Sequence, residues 1–201
     1  MIELFLKGGF MMAPLLIASV ISLAIIIDRV VFFRKNTIDE RLLMRQLSEE
    51  IKRKNYKGAM DICRRYPSPV ARILSAAIAK FSDGNYEDIE KAIEKETLNE
   101  IPRIERYIQG LAVIASVSTL MGFTGTVTGM IRAFGDIASR GVSSPAVVAS
   151  GISEALITTA AGLLIAIPTM LFYHYFTHRV ARLTLEIEKC ANELLEIKSG
   201  Q

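Results

Sequence analysis

The sequence predicts an all-α membrane protein with three transmembrane helices, of which the second and third extend into a cytoplasmic helical domain. Hydrophobic residues make up 51% of the 201 residues, and the mean hydropathy is +0.33. Residues 8–27, 107–131 and 155–177 contain no Asp, Glu, Lys or Arg, so the charges are confined to the rest of the chain. About 20 apolar residues suffice for a helix to cross the hydrocarbon core of a bilayer, and each stretch is long enough.

The first apolar stretch is predicted to be a retained membrane anchor. Lys7 precedes it, as a basic residue precedes the apolar core of a signal peptide. The stretch is longer than that core usually is, and Asp28-Arg29 and Arg34-Lys35 follow it like a stop-transfer flank. We interpret Asp28 and Arg29 as anchors at the inner membrane surface.

The distribution of positive residues predicts the orientation in the membrane. Most Lys and Arg residues lie between Arg34 and Arg106, whereas the connection after the second span holds only Arg140. Loops rich in Lys and Arg stay in the cytoplasm. We therefore expect a periplasmic N-terminus and a cytoplasmic C-terminus, and Arg179 and Arg182 after the third span support the same orientation.

These patterns divide the chain into six segments. In chain order they are an N-terminal segment with the first transmembrane helix (1–33), a cytoplasmic helical segment (34–106), the second transmembrane helix (107–134), a short periplasmic connection (135–153), the third transmembrane helix (154–178) and a cytoplasmic C-terminal helix (179–201).

The cytoplasmic segment is predicted to be a series of helices. An amphipathic stretch runs from Ile38 to Lys54, and the stretches Tyr56–Tyr66 and Val70–Phe81 are separated by Pro67-Ser68-Pro69. A second break at 82–85 precedes a helix from Tyr86, which we expect to run without interruption into the second span, with a kink at Pro102.

The residues after the third span repeat apolar side chains in alternating steps of three and four, which predicts one helix continuous with that span. Two interpretations of this apolar stripe stay open. The helix packs on its own domain, or it contacts another subunit. The stripe comprises Val180, Leu183, Ile187, Cys190, Leu194 and Ile197.

Small and hydroxylated residues form a stripe along each of the last two spans. In the second span they are Ala115, Thr119, Gly122, Thr126, Gly129 and Ala133, and in the third they are Ala155, Thr159, Gly162, Ala166 and Thr169. Small residues let helices approach closely in lipid, and hydroxyls bond across the contact. Gly122, Gly125, Gly129 and Gly162 are therefore predicted to pack the second helix on the third, and Pro168 is predicted to kink the third.

The alternative interpretation is that part of each stripe lines a narrow polar path. Thr126 and Thr159 are the candidate residues, because each carries a hydroxyl in the middle of its span. Threonine does not titrate in a useful pH range, so such a path needs a carboxylate to carry a proton. Glu154, at the start of the third span, is the nearest acid in this chain. A charge at membrane depth predicts a function, although Glu154 at the water interface would only cap the helix.

Several other classes of function find no support in the sequence. No nucleophile–base pattern or phosphate-binding loop indicates an enzyme, and no cofactor is expected. His174 and His178 have metal-ligand spacing without a neighbouring carboxylate or thiol, so no metal site is predicted. The net charge of +3 is scattered, so no nucleic-acid partner is predicted. Cys63 and Cys190 are interpreted as reduced packing residues.

Two membrane motifs resemble those of the ExbB/TolQ/MotA proton-channel family. The second-span segment from Leu120 to Ile131 resembles the family pattern Leu-Leu-Gly-x-x-Gly-Thr-Val-x-Gly-Met. The third-span segments Glu154–Leu163 and Ala166–Pro168 resemble its other motif, and the region from Cys63 to Arg72 is similar to its cytoplasmic loop. Thr119 stands where many members have proline, and Thr124 stands where an aliphatic residue is usual.

The resemblance implies a stator subunit that converts proton motive force into mechanical work on the cell envelope. It implies a homopentamer around a dimer of single-span ExbD- or TolR-like partners, with a TonB- or TolA-like protein as the next component. By resemblance, Thr126 and Thr159 are the pore threonines, Glu154 is the third-span glutamate, and the aspartate that carries the proton belongs to the partner. The location implied is the bacterial inner membrane.

Three spans favour the ExbB or TolQ branch over the MotA branch, which has four, and the sequence does not decide between ExbB and TolQ. Two other functions stay open. A passive membrane scaffold would use the stripes only for packing, and a self-sufficient ion channel would conduct without a partner.

Overall fold

The computed structural model describes residues 8–36, 38–81, 85–140 and 145–199, and every regular element in these ranges is an α-helix. The helices are α1 (Met12–Asn36), α2 (Glu40–Lys52), α3 (Tyr56–Arg65), α4 (Pro69–Ile78), α5 (Tyr86–Glu105), α6 (Ile108–Arg140) and α7 (Pro145–Ser199). Three helical regions are long and apolar enough to cross a membrane, which confirms the predicted fold class.

The chain divides into two compact units. The apolar unit comprises the residues up to Asp28 together with Tyr107–Tyr175, and the charged unit comprises Arg29–Arg106 together with the residues from Phe176 onward. The helices α1 and α7 each contribute residues to both units.

The apolar unit turns large apolar side chains outward. Leu120, Phe123, Leu164 and Leu171 are exposed, whereas its buried positions are occupied mainly by small or hydroxylated residues, such as Ala115 and Thr169. This inverts the arrangement of a water-soluble domain, because lipid solvates apolar side chains and close helix contact depends on small ones.

The charged unit has a conventional apolar core. Its fully buried side chains include Leu43, Leu47 and Ile51 of α2, Ile73, Leu74 and Ile78 of α4, and Ile187 and Leu194 of α7. Four of the six apolar residues of the C-terminal stripe are buried, namely Val180, Ile187, Cys190 and Leu194. The stripe therefore packs within its own unit, which was one of the two interpretations left open.

Short polar side chains begin the helices of the charged unit. The side chains of Asp39, Asn55 and Ser68 each accept a hydrogen bond from a backbone amide in the first turn of α2, α3 and α4, respectively. Asn85 and Asp88 form a reciprocal capping box at α5. The predicted break at Pro67-Ser68-Pro69 is confirmed, since α3 ends at Arg65 and α4 begins at Pro69, where a proline at the first helical position costs no hydrogen bond. Of the predicted break at 82–85, residues 82–84 lie outside the described ranges.

The predicted continuity between the helix from Tyr86 and the second span is wrong. Helix α5 ends at Glu105, and Tyr107 takes a left-handed backbone conformation with φ of 63° before α6 begins. The apolar spacing continues across the break, and this spacing is what the sequence pattern detected. Two residues outside the helical conformation do not erase such a pattern. By contrast, α7 does run unbroken from the third span to Ser199, as predicted.

Arg29 does not act as a surface anchor. Its side chain is only 4% exposed. Its guanidinium donates hydrogen bonds of 3.3 Å to the carbonyls of Arg103 and Ile104, and it also lies over the Phe32 ring, 4.7 Å from the centroid. The last carbonyls of a helix lack intrahelical donors and carry the negative end of the helix dipole. Arg29 therefore caps the C-terminus of α5.

Both cysteines are free and buried, as predicted. Burial raises the pKa of the Cys63 thiol to about 12. Burial, followed by the nearby Glu40 carboxylate, raises the pKa of Cys190 to about 12 as well. Neutral thiols of this kind are weak nucleophiles, so both residues serve packing.

Candidate functional site

The candidate site lies in the apolar unit, where α6 and α7 pack backbone against backbone. A Cβ atom added at Gly162 would lie 2.6 Å from the Ser118 carbonyl oxygen and 3.0 Å from the Gly122 Cα. A Cβ atom added at Gly122 would lie 3.2 Å from the Thr159 Cα. The helices therefore approach each other closely at these two glycines, and a larger side chain at either would push the backbones apart.

Gly125 and Gly129 extend this contact along α6. A Cβ atom at Gly125 would overlap the side chain of Thr158, and one at Gly129 would lie 3.0 Å from the Gly151 carbonyl oxygen. All four glycines that the sequence assigns to helix packing thus face the α6–α7 contact. Pro168 lies inside α7, which continues through it.

The α6–α7 contact includes part of each predicted stripe, but the buried face of each helix is rotated slightly from the face that the stripe predicts. Gly122, Gly129 and Ala133 are buried, but Thr126 is half-buried and Thr119 is exposed. Other residues occupy the buried positions that the threonines were expected to share, namely Ser118 and Gly125 on α6 and Thr158 on α7. Adjacent residues on a helix are about 100° apart, so a rotation by a fraction of that angle exposes a residue at one edge of the contact face and buries one at the other edge.

The hydroxyls of the two predicted pathway threonines bond to adjacent carbonyls of the same turn of α6. Thr126 donates its hydroxyl to the Phe123 carbonyl at 2.6 Å, within its own helix. Thr159 donates across the helix contact to the Gly122 carbonyl at 3.0 Å. In an α-helix the Gly122 carbonyl also accepts the amide of Thr126. The Thr159 hydroxyl thus joins α7 to the turn of α6 that carries Thr126.

Thr126 also borders an open groove on α6. Apart from this threonine the lining is apolar, and the groove has a volume of about 530 Å³. Its other lining residues are Val127, Met130, Ile131 and Phe134. Thr126 is therefore the hydroxylated residue in the lining of this groove.

Glu154 forms an ion pair with Arg132, with 2.6 Å between carboxylate oxygen and guanidinium nitrogen. The carboxylate is 24% exposed and the guanidinium side chain 57% exposed. Thr158, next to them, is 1% exposed and donates its hydroxyl to both the Glu154 and the Gly8 carbonyls. Glu154 therefore belongs to a polar cluster that joins α6, α7 and the residues before α1.

Gly9 allows the chain before α1 to approach Glu154. Its φ of 70° is a conformation that favours glycine, and a Cβ atom there would overlap the Glu154 carboxylate. A small cavity of about 30 Å³ lies beside the cluster, lined by Gly8, Phe10, Met11, Gly125, Thr128, Arg132, Glu154 and Thr158. That volume has room for a water molecule, and the lining offers polar partners for one.

The two departures from the family pattern add hydroxyls that bond within their own helix. Thr119 donates to the Ala115 carbonyl at 3.1 Å, and Thr124 donates to the Leu120 carbonyl at 2.8 Å. Neither hydroxyl bonds across to α7 in these positions. Elsewhere in the apolar unit, Ser22 of α1 and Thr169 of α7 share a hydrogen bond of 2.7 Å.

Sequence reasoning missed Arg132 and Thr158. A signal for Arg132 was present, because it is the first charge after the uncharged stretch 107–131, just as Glu154 is the last charge before 155–177. Two consecutive spans run antiparallel, so those two charges come to the same level of the membrane. Thr158 differs from Thr159 only by one position, and the sequence offered no reason to choose between them.

The hydroxyl groups along the α6–α7 contact, called the polar seam below, include no group that carries a proton. Hydroxyls can pass hydrogen bonds, but they do not titrate near neutral pH. Residues 107–131 and 155–177 contain no acid, and the neighbouring Glu154 carboxylate is engaged by Arg132. Any carboxylate that lies along this contact must therefore come from outside residues 107–131 and 155–177.

Comparison with known proteins points in one direction. The family model of the MotA/TolQ/ExbB proton channel family matches residues 65–189. Two relatives from Synechocystis sp. are ExbB-like 3, 31% identical over 85% of this chain and 82% of its own length, and ExbB-like 1, 33% identical over 86% and 69%. The biopolymer transport protein ExbB of Salmonella typhimurium is 29% identical over 94% of this chain and 80% of its own length.

Proposed function

The chain belongs to the MotA/TolQ/ExbB proton channel family, and on that premise we propose that it is a stator subunit that works with a single-span ExbD- or TolR-like partner. Family membership makes it a multi-pass membrane component of a proton channel that energises transport. In our proposal, the complex sits in the bacterial inner membrane and uses the proton motive force to do mechanical work on the envelope. It acts by ion transfer and not as an enzyme.

One observation carries the need for a partner. The hydroxyl-bearing face of α6 and α7 contains no acid between 107 and 131 or between 155 and 177, and Glu154 is held by Arg132 at 2.6 Å. We place the partner's transmembrane carboxylate against the face that carries Thr126 and Thr159. Each unit charge crossing the membrane supplies about 2.3 kcal/mol per 100 mV of potential, which is the energy available for work.

Glu154 and Arg132 are proposed to form the polar access to this path. Their ion pair lowers the cost of two charges beside the membrane, and the cavity next to them has room for water. Protons would pass from this cluster to the partner carboxylate beside Thr126 and Thr159. The names of the ExbB and ExbB-like relatives favour a TonB-type assembly over a Tol-type one.

The proposed assembly is a homopentamer around a dimer of the partner. Its orientation has the N-terminus in the periplasm and the C-terminus in the cytoplasm, because Lys and Arg concentrate between residues 34 and 106. The charged unit would then lie on the cytoplasmic side.

The test is a reconstitution of proton flux. The chain is purified from native membranes in mild detergent, its companions are identified by mass spectrometry, and the complex is placed in liposomes holding a pH-sensitive dye. Under an imposed potential of about 100 mV, we expect proton uptake by the complex and none by the chain alone. Replacing the partner's membrane carboxylate by its amide should abolish uptake.

Variants of this chain sharpen the test. Glu154→Gln should slow uptake several-fold while the complex stays assembled, and Glu193→Gln, an exposed acid on the C-terminal part of α7, should leave uptake unchanged. Uptake by the chain alone would instead establish a self-sufficient channel. A stable oligomer that recruits no single-span protein and conducts nothing would establish a passive scaffold, for which the close α6–α7 packing would be sufficient.

A further inference from the structure

A cavity of about 200 Å³ in the charged unit is lined by side chains of both charges. Helix α7 contributes Arg179, Arg182 and Glu186, and Glu40, the first residue of α2, adds a second carboxylate. A single water needs only about 10–15 Å³ of such space, so the cavity has room for a group of several heavy atoms. It lies outside the polar seam, and the proposed proton path does not use it.

The two arginines supply donors that suit a phosphate. The Arg182 side chain is 59% exposed, and its guanidinium lies 3.9 Å from the Glu186 carboxylate. That distance is longer than a hydrogen bond, so this contact uses none of the guanidinium donors. Arg179 is half-buried one turn earlier on the same helix. A guanidinium presents five N–H donors in a planar fork that matches the oxygens of a phosphate.

The carboxylates supply acceptors that suit an ammonium group. Glu40 and Glu186 are both half-buried, and Asn36 of α1 lines the cavity beside them. The Asn36 Nδ2 atom donates to the Phe32 carbonyl at 2.7 Å, which leaves the Oδ1 atom as an acceptor. A primary ammonium carries three donors and no acceptor, so it complements this set of oxygens.

The balance of charge in the lining selects the class of ligand. Two guanidinium groups and two carboxylates face the same space. A simple anion would also meet the carboxylates, and a simple cation would also meet the arginines. A charge that leaves water costs free energy unless it is paired. A zwitterion with a phosphate and an ammonium a few atoms apart pairs with both sets at once.

The cavity begins just beyond the apolar spans. Arg179 comes two residues after the uncharged stretch 155–177 on the unbroken helix α7, and Phe33 comes six residues after the stretch 8–27 on α1. These are advances of about 3 Å and about 9 Å along the helices. The headgroup layer extends about 5–7 Å beyond the hydrocarbon core. When the uncharged stretches fill that core, Arg179 lies at the level of the lipid phosphates.

Apolar side chains form the rest of the wall. Phe33 is buried and stacks on Phe176, with the ring centroids 5.8 Å apart and 13° between the ring planes. Val70 of α4 is buried, and Leu183 of α7 is half-buried. A wall that is partly apolar and partly charged suits a ligand whose polar head continues into an apolar chain.

We propose that this cavity binds the headgroup of a phospholipid that carries both a phosphate and a primary ammonium, as phosphatidylethanolamine does. The phosphate lies at Arg179 and Arg182, and the ammonium lies at Glu40 and Glu186. Because α1, α2, α4 and α7 all contribute to the lining, a bound headgroup joins four helices of the charged unit. The site needs a membrane location, but neither proton flux nor a particular orientation in the membrane.

The test is a lipid titration of the purified full chain in detergent, after removal of its native lipid. The probes are phosphatidylethanolamine, phosphatidylcholine and phosphatidylglycerol in mixed micelles. Phosphatidylcholine has a phosphate and a methylated ammonium that donates no hydrogen bond, and phosphatidylglycerol has a phosphate and no ammonium. Native mass spectrometry measures retention, and thermal unfolding measures stabilisation. We expect phosphatidylethanolamine to bind about tenfold more tightly than the other two and to raise the unfolding temperature until the site saturates.

Variants separate the two halves of the site. Glu40→Gln removes an acceptor for the ammonium and should reduce the preference for phosphatidylethanolamine several-fold. Arg182→Gln should weaken the binding of all three lipids, because all three carry the phosphate. The matched controls are Glu49→Gln and Arg45→Gln, which change exposed residues of α2 outside the cavity lining. Both should keep the wild-type affinity and preference.

Equal retention of the three lipids, or a preference for phosphatidylglycerol, would overturn the proposal. So would a full preference for phosphatidylethanolamine in both Glu40→Gln and Glu186→Gln, which also provides the second variant if Glu40→Gln does not fold. Soluble glycerophosphoethanolamine distinguishes the source of the headgroup, because equal stabilisation by it at the same concentration would rule out the membrane lipid as the ligand. None of these results bears on proton flux through the apolar unit, so failure of this site and failure of the proposed function remain distinguishable.

Discussion

Single hydroxyl groups in the apolar unit have two kinds of hydrogen-bond partner. Those of Thr119, Thr124 and Thr126 bond to carbonyls three or four residues earlier in the same helix. The hydroxyl of Thr159 bonds instead to another helix, at the Gly122 carbonyl. A hydroxyl that bonds to another helix contributes to helix packing and to any polar path along the α6–α7 contact. Its removal should therefore affect both stability and proton flux.

Replacement of Thr159 by valine keeps the shape of the side chain and removes the hydroxyl. We expect Thr159→Val to lower proton flux of the reconstituted complex by about tenfold or more, which corresponds to about 1.4 kcal/mol of barrier. The cost in stability should be smaller, about 0.6 kcal/mol for one interhelical hydrogen bond in a membrane. Flux is measured in liposomes and stability by thermal unfolding in detergent.

Thr159→Ser keeps the hydroxyl and should retain most of the flux. Thr124→Val is the matched control, because its hydroxyl is exposed and bonds within its own helix. Equal loss of flux in the valine and serine variants would show that loss of the Thr159 hydroxyl does not by itself explain the effect, because serine keeps that hydroxyl. Wild-type flux in Thr159→Val would remove this residue from the pathway.

The helices of the two units are held in place by different kinds of contact. The α6–α7 pair depends on the absence of side chains, because Gly122 and Gly162 bring the backbones together. The α5 helix of the charged unit depends on specific charged side chains. Glu100 is fully buried and is held by Arg72 at 2.6 Å and by Arg103 at 2.7 Å, while Arg29 caps the end of the same helix.

A methyl group added at Gly162 should separate α6 from α7. The new Cβ atom would lie 2.6 Å from the Ser118 carbonyl oxygen, which belongs to a helix backbone and cannot move aside alone. Overpacking of this kind costs about 1–3 kcal/mol. We expect Gly162→Ala to lower the unfolding temperature and reduce proton flux.

Gly135→Ala is the control for that variant, since it makes the same change in α6 where nothing lies within 4 Å. It should leave stability unchanged or raise it by up to about 1 kcal/mol, because alanine favours a helix. A Gly162→Ala protein as stable as Gly135→Ala would contradict the close contact described here.

The whole molecule combines an outward-apolar unit with a unit that has a buried apolar core. The first has the surface of a protein dissolved in lipid, and the second has that of a protein dissolved in water. We therefore expect the apolar unit in the bilayer and the charged unit in water. The positive residues between 34 and 106 predict the side of the membrane on which the charged unit lies.

Cysteine labelling tests this orientation. Cys63 and Cys190 are 3% and 2% exposed, and both thiols have a pKa raised to about 12, so neither should react with an impermeant maleimide in the folded protein. Cysteines introduced at the exposed positions Ala138 and Glu188 report on opposite ends of α6 and α7. We expect Ala138→Cys to label from outside intact spheroplasts and Glu188→Cys only after lysis. The reverse pattern would invert the topology, and labelling of the unsubstituted chain would contradict the burial of its thiols.

The sequence by itself determined the fold class and the location of the apolar segments, because a span is defined by the composition of about 20 consecutive residues and needs no distant partner. It also located the Pro67-Ser68-Pro69 break and the continuous C-terminal helix, which depend on local backbone preferences. Its family motifs, which lie within continuous segments, were sufficient for the resemblance that the family match later confirmed.

Only the tertiary structure decided which neighbours on each face meet. Thr158 rather than Thr159 is fully buried, since one residue turns a helix by about 100° and the sequence does not fix that rotation. Arg29 bonds to a carbonyl 74 residues away, and Arg132 pairs with Glu154 across 22 residues. Such contacts depend on how separate helices pack, because a charge takes whichever partner the fold brings near it, and no local pattern names that partner.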